Sequence, residues 1–322
     1  MSFASAQALV ADDLIAVEEL ILKKAGSSYA PLTEALSGLV RSGGKRVRPT
    51  VVLLAAHLFP PANRHALLAL AAAVEALHTA TLIHDDVIDG AFVRRGQSTL
   101  NAMWTPSSTV MAGDFFFARA AALAAETEHP RVIQLFAETL NTIVDGELRQ
   151  AFAGHDWDQP KESYFQRIYG KTAALFEVSA RATAVLGSAP AGAEQAMRAY
   201  GYDLGMAFQI VDDILDFTAD AATLGKPAGS DLRSGIITLP VFYFIQEPEQ
   251  RQWLLAAMEG KEGSTGLDKV VDRVRQSEGI DLARAEAVRF AESAVTWLAN
   301  FAPTPHQRAL ADIARYVVER RQ

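Results

Sequence analysis

The chain contains no cysteine. That excludes a disulfide-stapled scaffold, a thiolate zinc site, an iron–sulfur cluster and a cysteine nucleophile. It has no surplus of positive charge either: 30 Lys and Arg stand against 38 Asp and Glu, a formal net charge of −8. A nucleic-acid partner is therefore not expected. Long apolar runs are missing. The longest, Ala66 to Val74, is broken by Glu75, and a bilayer-spanning helix needs roughly twenty apolar residues. Met1 to Leu14 holds two aspartates and no basic residue, unlike a signal peptide. These gaps point to a cytoplasmic protein without a membrane span. Glycine and proline, 21 and 13 residues, are too few for a low-complexity chain.

What the 322 residues do contain is 50% apolar side chains, enough for a sizeable core. Alternating strand-type patterns are nearly absent. Apolar positions recur at helical spacing in segments of roughly 15–30 residues, as in bundle helices. Only Ile236 to Ile245 has a β-branched and aromatic composition, and helical sequence flanks it. No linker separates two domains, so residues 1–322 are expected to form one. Ala219 to Gly235, rich in Gly, Ala and Asp, reads as a long loop, a length usually reserved for functional lids or disorder.

Two short acidic motifs stand out. Asp85-Asp86-Val87-Ile88-Asp89 and Asp212-Asp213-Ile214-Leu215-Asp216 share the pattern Asp-Asp-x-x-Asp, 127 residues apart, each in apolar helical sequence. On a helix, i and i+4 lie about 40° apart, so Asp85 sits over Asp89 and Asp212 over Asp216. Such like charges repel, and burying them is costly unless a cation neutralises them. One motif alone reads equally well as a solvated acidic turn; two copies make that reading weaker. Oxygen donors without thiolates suit a hard ion such as Mg²⁺, which usually takes further ligands from substrate phosphates. A calcium EF-hand is excluded, because Val87 and Ile214 occupy its third, acidic position.

Basic groups accompany them. Gly43-Gly44-Lys45-Arg46-Val47-Arg48-Pro49 is a tight basic loop before an apolar helix. Cations at a helix start oppose its dipole, so a bound anion explains them better than solvent does. It is not a P-loop, since the GxxxxGK[ST] spacing is absent. Arg94-Arg95 follow the first acidic motif. His78 lies two turns before Asp85, about 20° off in angle, on the same face. Lys171-Thr172, Gln209 and Lys226 are weaker candidates, each of which reads as ordinary surface or core when taken alone.

Together these residues resemble the trans-prenyl diphosphate synthase (polyprenyl synthetase) family. The resemblance runs from about Gly43 to Pro240 and also takes in Gly113-Asp114 and Gly225 to Leu232. It implies an all-α, isoprenoid synthase-type bundle of about a dozen helices around a central cavity, working as a homodimer. It implies condensation of isopentenyl diphosphate with an allylic diphosphate held between the aspartate clusters by about three Mg²⁺ ions. Asp85, Asp89 and Asp212 would bind metal, with Asp86, Asp213 and Asp216 in support. Arg94, Lys171, Thr172, Gln209 and Lys226 would face the allylic diphosphate; Lys45, Arg48, His78 and Arg95 would hold isopentenyl diphosphate. Peripheral membrane contact for product release is compatible with this reading. The chain departs from the family at Ile236, where many relatives carry lysine.

Relatives that stop early carry an aromatic plug four or five residues before the first motif. Here those positions are Ala80 and Thr81, with Leu77 and Val74 deeper. The expectation is a long all-trans product of about six to ten isoprene units, the tail running along the helix at 1.5 Å per residue. Phe115, Phe116, Phe117 or Phe152 could plug the tunnel instead and make a short-chain farnesyl or geranylgeranyl synthase. Other readings are a terpene cyclase, a non-catalytic subunit of a heteromeric synthase, and a di-iron bundle. The last would use Glu75-x-x-His78 and Glu126-x-x-His129. It leaves six aspartates without a role, and Pro130 places His129 at a helix end. Gln246 to Gln322 carries no recognisable motif.

Overall fold

The computed structural model describes residues 2–94, 96–152, 157–219, 227–259 and 266–320. Helices dominate, as the periodicity predicts. Among the described residues the only strands are Val93–Arg94 and Gln97–Ser98, an antiparallel ribbon pairing Val93 with Ser98 and Arg94 with Gln97. The stretch of strand-like composition is helical over Leu239–Phe244, with Pro240 near its start. Proline's fixed φ favours a first helical turn, and this outweighs the β-branched composition. The long loop falls partly outside the described residues. Its described end forms a short helix, Ser230–Arg233, behind a left-handed Gly229.

The residues fall into two compact units. The first comprises Met1–Asn141, Leu175–Gly201 and Val295–Ile313. Its central element is the helix Arg64–Ile88. Asn63 caps it, accepting from the His65 N–H at 2.9 Å, and no glycine or proline interrupts it. Ala66 through Leu77 are buried on every side. This helix is long and apolar enough to cross a membrane, but most of that stretch is covered by protein, as in a core helix. Pro106–Ala125 packs most extensively against it, followed by Val47–Ala56 and Ala11–Lys24. Each fully buried Leu of this core, such as Leu70 and Leu77, contributes roughly 1.5–3 kcal/mol.

The second unit comprises Thr142–Ala174, Tyr202–Ala294 and Ala314–Gln322. In it the helix Lys161–Ile168 runs into a π-helical turn, Tyr169–Ala173. Gly170 packs backbone to backbone on Gly146. The helix Ala191–Thr218 belongs to this unit from Tyr202 onward and carries the second acidic motif.

Candidate active site

In the first unit Asp85 and Asp86 lie in the last turn of Arg64–Ile88, and Asp89 is its C-cap. Negative charge at a helix C-terminus is opposed by the macrodipole, so three carboxylates there need a cation. Asp86 turns inward, 5% exposed, while Asp85 is half-buried and Asp89 exposed. Asp86 accepts from Arg94 Nε at 2.7 Å. Burial pushes the Asp86 carboxyl above its ordinary range, and Arg94 counteracts this. The preceding His84 lies with Nε2 3.0 Å from the Val110 carbonyl oxygen and 3.4 Å from Asp114 Oδ1. Gly113 makes room for that ring, since a Cβ there would stand 2.2 Å from His84 Nε2.

The basic loop belongs to the same unit. Val47–Ala56 starts with no side-chain cap and with Arg48 and Pro49 in its first turn, and a helix start carries partial positive charge that favours an anion. Lys45 is exposed. Arg48 is buried, its guanidinium 4.5 Å from the Phe176 ring centroid. His78 is half-buried, and its carbonyl accepts from Thr81 Oγ1 at 2.8 Å. Val74, Leu77 and Ala80 are fully buried and Thr81 half-buried. Of the four candidate plugs, Phe116 is buried, Phe115 lies against Arg119, Phe117 lies against His84, and Phe152 is exposed.

In the second unit the motif is held more elaborately. Asp213 is buried. Its Oδ2 accepts from Tyr164 OH and its Oδ1 from Gln209 Nε2, both at 2.8 Å. Burial, then Asp231, push this carboxyl up to about 7 against the pull of Gln209, Tyr164 and Arg167. Asp216, also buried, accepts from Ser230 Oγ at 2.8 Å and from the Asp231 N–H at 3.3 Å. Asp212 is half-buried, with Arg320 2.7 Å from its Oδ1. Thr172 Oγ1 donates to Gln209 Oε1 at 2.5 Å. Lys171 Nζ stands 3.2 Å from Glu147. Gln209 thus links the π turn to the aspartate cluster.

Among the described residues no three acidic or histidine side chains are gathered closely enough to hold a metal alone. Asp86, Asp213 and Asp216 are occupied by protein donors. Asp85, Asp89 and Asp212, each the more exposed member of its motif, supply oxygen only. That donor set fits Mg²⁺, which binds through one or two carboxylates and completes its shell with water and phosphate. The di-iron reading is overturned. Glu75 is committed to Arg46 at 2.8 Å. Glu126 caps the helix Pro106–Ala125 and pairs with Lys24, and Glu128 breaks the following turn at φ 52, so Glu126 and His129 do not share a helical face.

Arg95 and Lys226 lie outside the described residues. Sequence reasoning missed Tyr164, Arg320, Ser230 and the inward role of Arg46. Ser230 sits within a quoted motif. Tyr164 and Arg320 have no local signature, because both meet their aspartates through tertiary packing.

Comparison with known proteins adds an independent observation. The family model described as polyprenyl synthetase matches residues 30–274. The chain is 37% identical over 320 residues to heptaprenyl diphosphate synthase component 2 of Geobacillus stearothermophilus, covering 99% of each. It is 35% identical over 315 residues to octaprenyl diphosphate synthase of Escherichia coli (strain K12), covering 97% of each. The crystal structure of a polyprenyl synthase from Caulobacter crescentus CB15, complexed with calcium and isoprenyl diphosphate, matches with a TM-score of 0.94 at 34% identity, covering 100% of this chain and 98% of that one.

Proposed function

The chain belongs to the polyprenyl synthetase family, and on that premise we propose how its residues perform trans-prenyl transfer. It is a prenyltransferase that condenses isopentenyl diphosphate with an allylic diphosphate to give a long all-trans polyprenyl diphosphate. Relatives named for seven and eight units support the long product. The small Ala80 and Thr81 agree with it. The family model spans residues of both units, which supports one catalytic domain over 1–322.

The observation that carries the mechanism is the division of labour within both acidic motifs. In each, the buried carboxylates are tied to protein donors, and the more exposed ones, Asp212 with Arg320 beside it, are where a divalent cation would bind. Asp85, Asp89 and Asp212 are assigned as Mg²⁺ ligands, with Asp86, Asp213 and Asp216 holding the helix ends in place. When bound, about three Mg²⁺ ions neutralise the allylic diphosphate and stabilise it as a leaving group. Arg94 and Lys171 add positive charge to that diphosphate, and Lys226 joins them. As the C–O bond breaks, the oxygen dipoles of Thr172 and Gln209 face the allylic cation. Lys45, Arg48, His78 and Arg95 hold isopentenyl diphosphate with its double bond toward the cation. The alkene attacks, a C–C bond forms, and a proton passes to the released diphosphate. No side-chain nucleophile is required.

We place the enzyme in the cytoplasm as a homodimer, with membrane contact at most peripheral. Exposed apolar residues of the first unit, Ile88, Phe92, Val93, Val110 and Met111, support an interface between copies. The test is a product assay with Mg²⁺, labelled isopentenyl diphosphate and primers of two, three and four isoprene units. A long product is expected. Products ending at three or four units would shift the assignment to the short-chain reading. No extension by the folded protein alone would favour the heteromeric one, in keeping with a relative named as a component.

A further inference from the structure

The three cations of the basic loop are not equivalent. Lys45 is exposed, but the Arg46 side chain is only 11% exposed. Its backbone is left-handed, at φ 47 and ψ 38, a region a long side chain rarely adopts. Such a conformation persists only where the surroundings over-determine it, and here they do. Arg46 Nε meets Glu18 at 2.8 Å, its NH1 meets Glu75 at 2.8 Å, and its NH2 donates to the Val40 carbonyl at 2.5 Å. The Arg46 carbonyl accepts from Thr50 N at 3.1 Å and Thr50 Oγ1 at 2.7 Å. Gln7 Nε2 donates to the Lys45 carbonyl at 2.9 Å.

One guanidinium therefore joins the helices Ala11–Lys24, Ala30–Arg41 and Arg64–Ile88 to the start of Val47–Ala56. Glu75 lies one turn before His78 on the third of these. We infer that Arg46 is a positioning residue: facing inward, it fixes the left-handed turn and so sets Lys45 and Arg48 in register with His78 for the diphosphate of isopentenyl diphosphate. The inference rests on the assignment of that trio made above. The Glu75 carboxylate, 7% exposed, is its essential counterpart. Burial works against the charge on Arg46, but Glu75 and Glu18 outweigh it and the guanidinium's pKa is raised. It stays a cation and stays paired.

The test compares Arg46→Gly, which tolerates the left-handed backbone but lacks the anchor, with Arg46→Lys, Glu75→Gln and the reference variant Lys45→Ala. Binding of isopentenyl diphosphate alone is measured by calorimetry, and KM for each substrate and kcat by turnover. Arg46→Gly and Glu75→Gln are expected to weaken isopentenyl diphosphate about tenfold while KM for the allylic substrate stays within about twofold. Arg46→Lys should recover part of the loss. If Arg46 touched the diphosphate itself, Glu75→Gln would free it and tighten binding, which would overturn the positioning role. So would an equal loss in both substrates, the mark of a merely structural residue. If Lys45→Ala weakens binding and neither Arg46→Gly nor Glu75→Gln does, Arg46 has no positioning role and the site assignment stands. If Lys45→Ala changes nothing, the assignment of the loop itself fails.

Discussion

Replacing Gly170 with alanine tests how tightly the π turn is held. A Cβ there would stand 2.9 Å from Gly146 Cα and 3.1 Å from the Thr142 carbonyl oxygen. Both obstacles are backbone, so no side chain can rotate away. Ordinary contact begins at 3.4 Å, so the two segments would have to part by about 0.5 Å, which a close-packed interior resists. Alanine gains about 1 kcal/mol in helix propensity, and overpacking costs about 1–3 kcal/mol. The obstacle being backbone, the upper part of that range applies, for a net loss of about 2 kcal/mol. With an unfolding entropy of about 2.1 cal/mol/K per residue, 322 residues convert this into a Tm drop of about 3 °C. Gly192→Ala is the control, since nothing lies within 4 Å of its Cβ, and its Tm should hold or rise. Circular dichroism melts read both variants. At temperatures well below either melt, kcat of Gly170→Ala should fall as well, because Lys171 and Thr172 follow directly. A Gly170→Ala protein as stable and as active as the parent would refute the reasoning.

Three further outcomes are expected. Asp213 in the folded, metal-free protein binds its proton more tightly than the unfolded chain does. The stability it contributes is therefore present below the ordinary value of 3.8 and is lost as pH rises through about 7. Asp213→Asn should flatten the fall of Tm across that window, and an unchanged slope would count against it. Arg320→Gln removes the cation beside Asp212. Calorimetric titration should then show tighter Mg²⁺ binding in the absence of diphosphate, and unchanged affinity would mean that Arg320 does not compete with the metal. Ala80→Phe introduces a bulky ring where the chain has a fully buried methyl; chromatography of the dephosphorylated alcohols should show shorter products, and an unaltered length would put the tail elsewhere.

The fold class was legible because helical periodicity repeats over every turn, and so were the two motifs, whose i and i+4 carboxylates mark one face. What periodicity does not encode is which partner each carboxylate finds. Tyr164 reaches Asp213 across 49 positions, and Arg320 reaches Asp212 from the far end of a segment without motifs. Arg46 stands in the basic loop between Lys45 and the Arg48 assigned to phosphate, and the sequence gives it no role of its own. Only the packing of Glu18 and Glu75 around it reveals that it faces the core. The β-branched and aromatic composition of Ile236 to Ile245 left its conformation open, and it is helical over Leu239–Phe244, where the proline at position 240 acts through backbone geometry rather than composition.

The π turn at Tyr169–Ala173 has one more consequence. A π turn carries one residue more than the α turn it replaces, which amounts to about 100° of added rotation on a helix of 3.6 residues per turn. The face carrying Tyr164 and Arg167 and the face continuing from Ala174 are therefore out of step, like two gears coupled with a tooth skipped. Lys171 and Thr172 occupy the skipped tooth. Deleting one residue between Tyr169 and Ala173 would restore an unbroken α-helix at little cost to helicity, yet it would rotate the whole upstream segment against its neighbours. For this helix a one-residue deletion is a graver change than most substitutions, because it alters timing along the thread rather than the shape of any part.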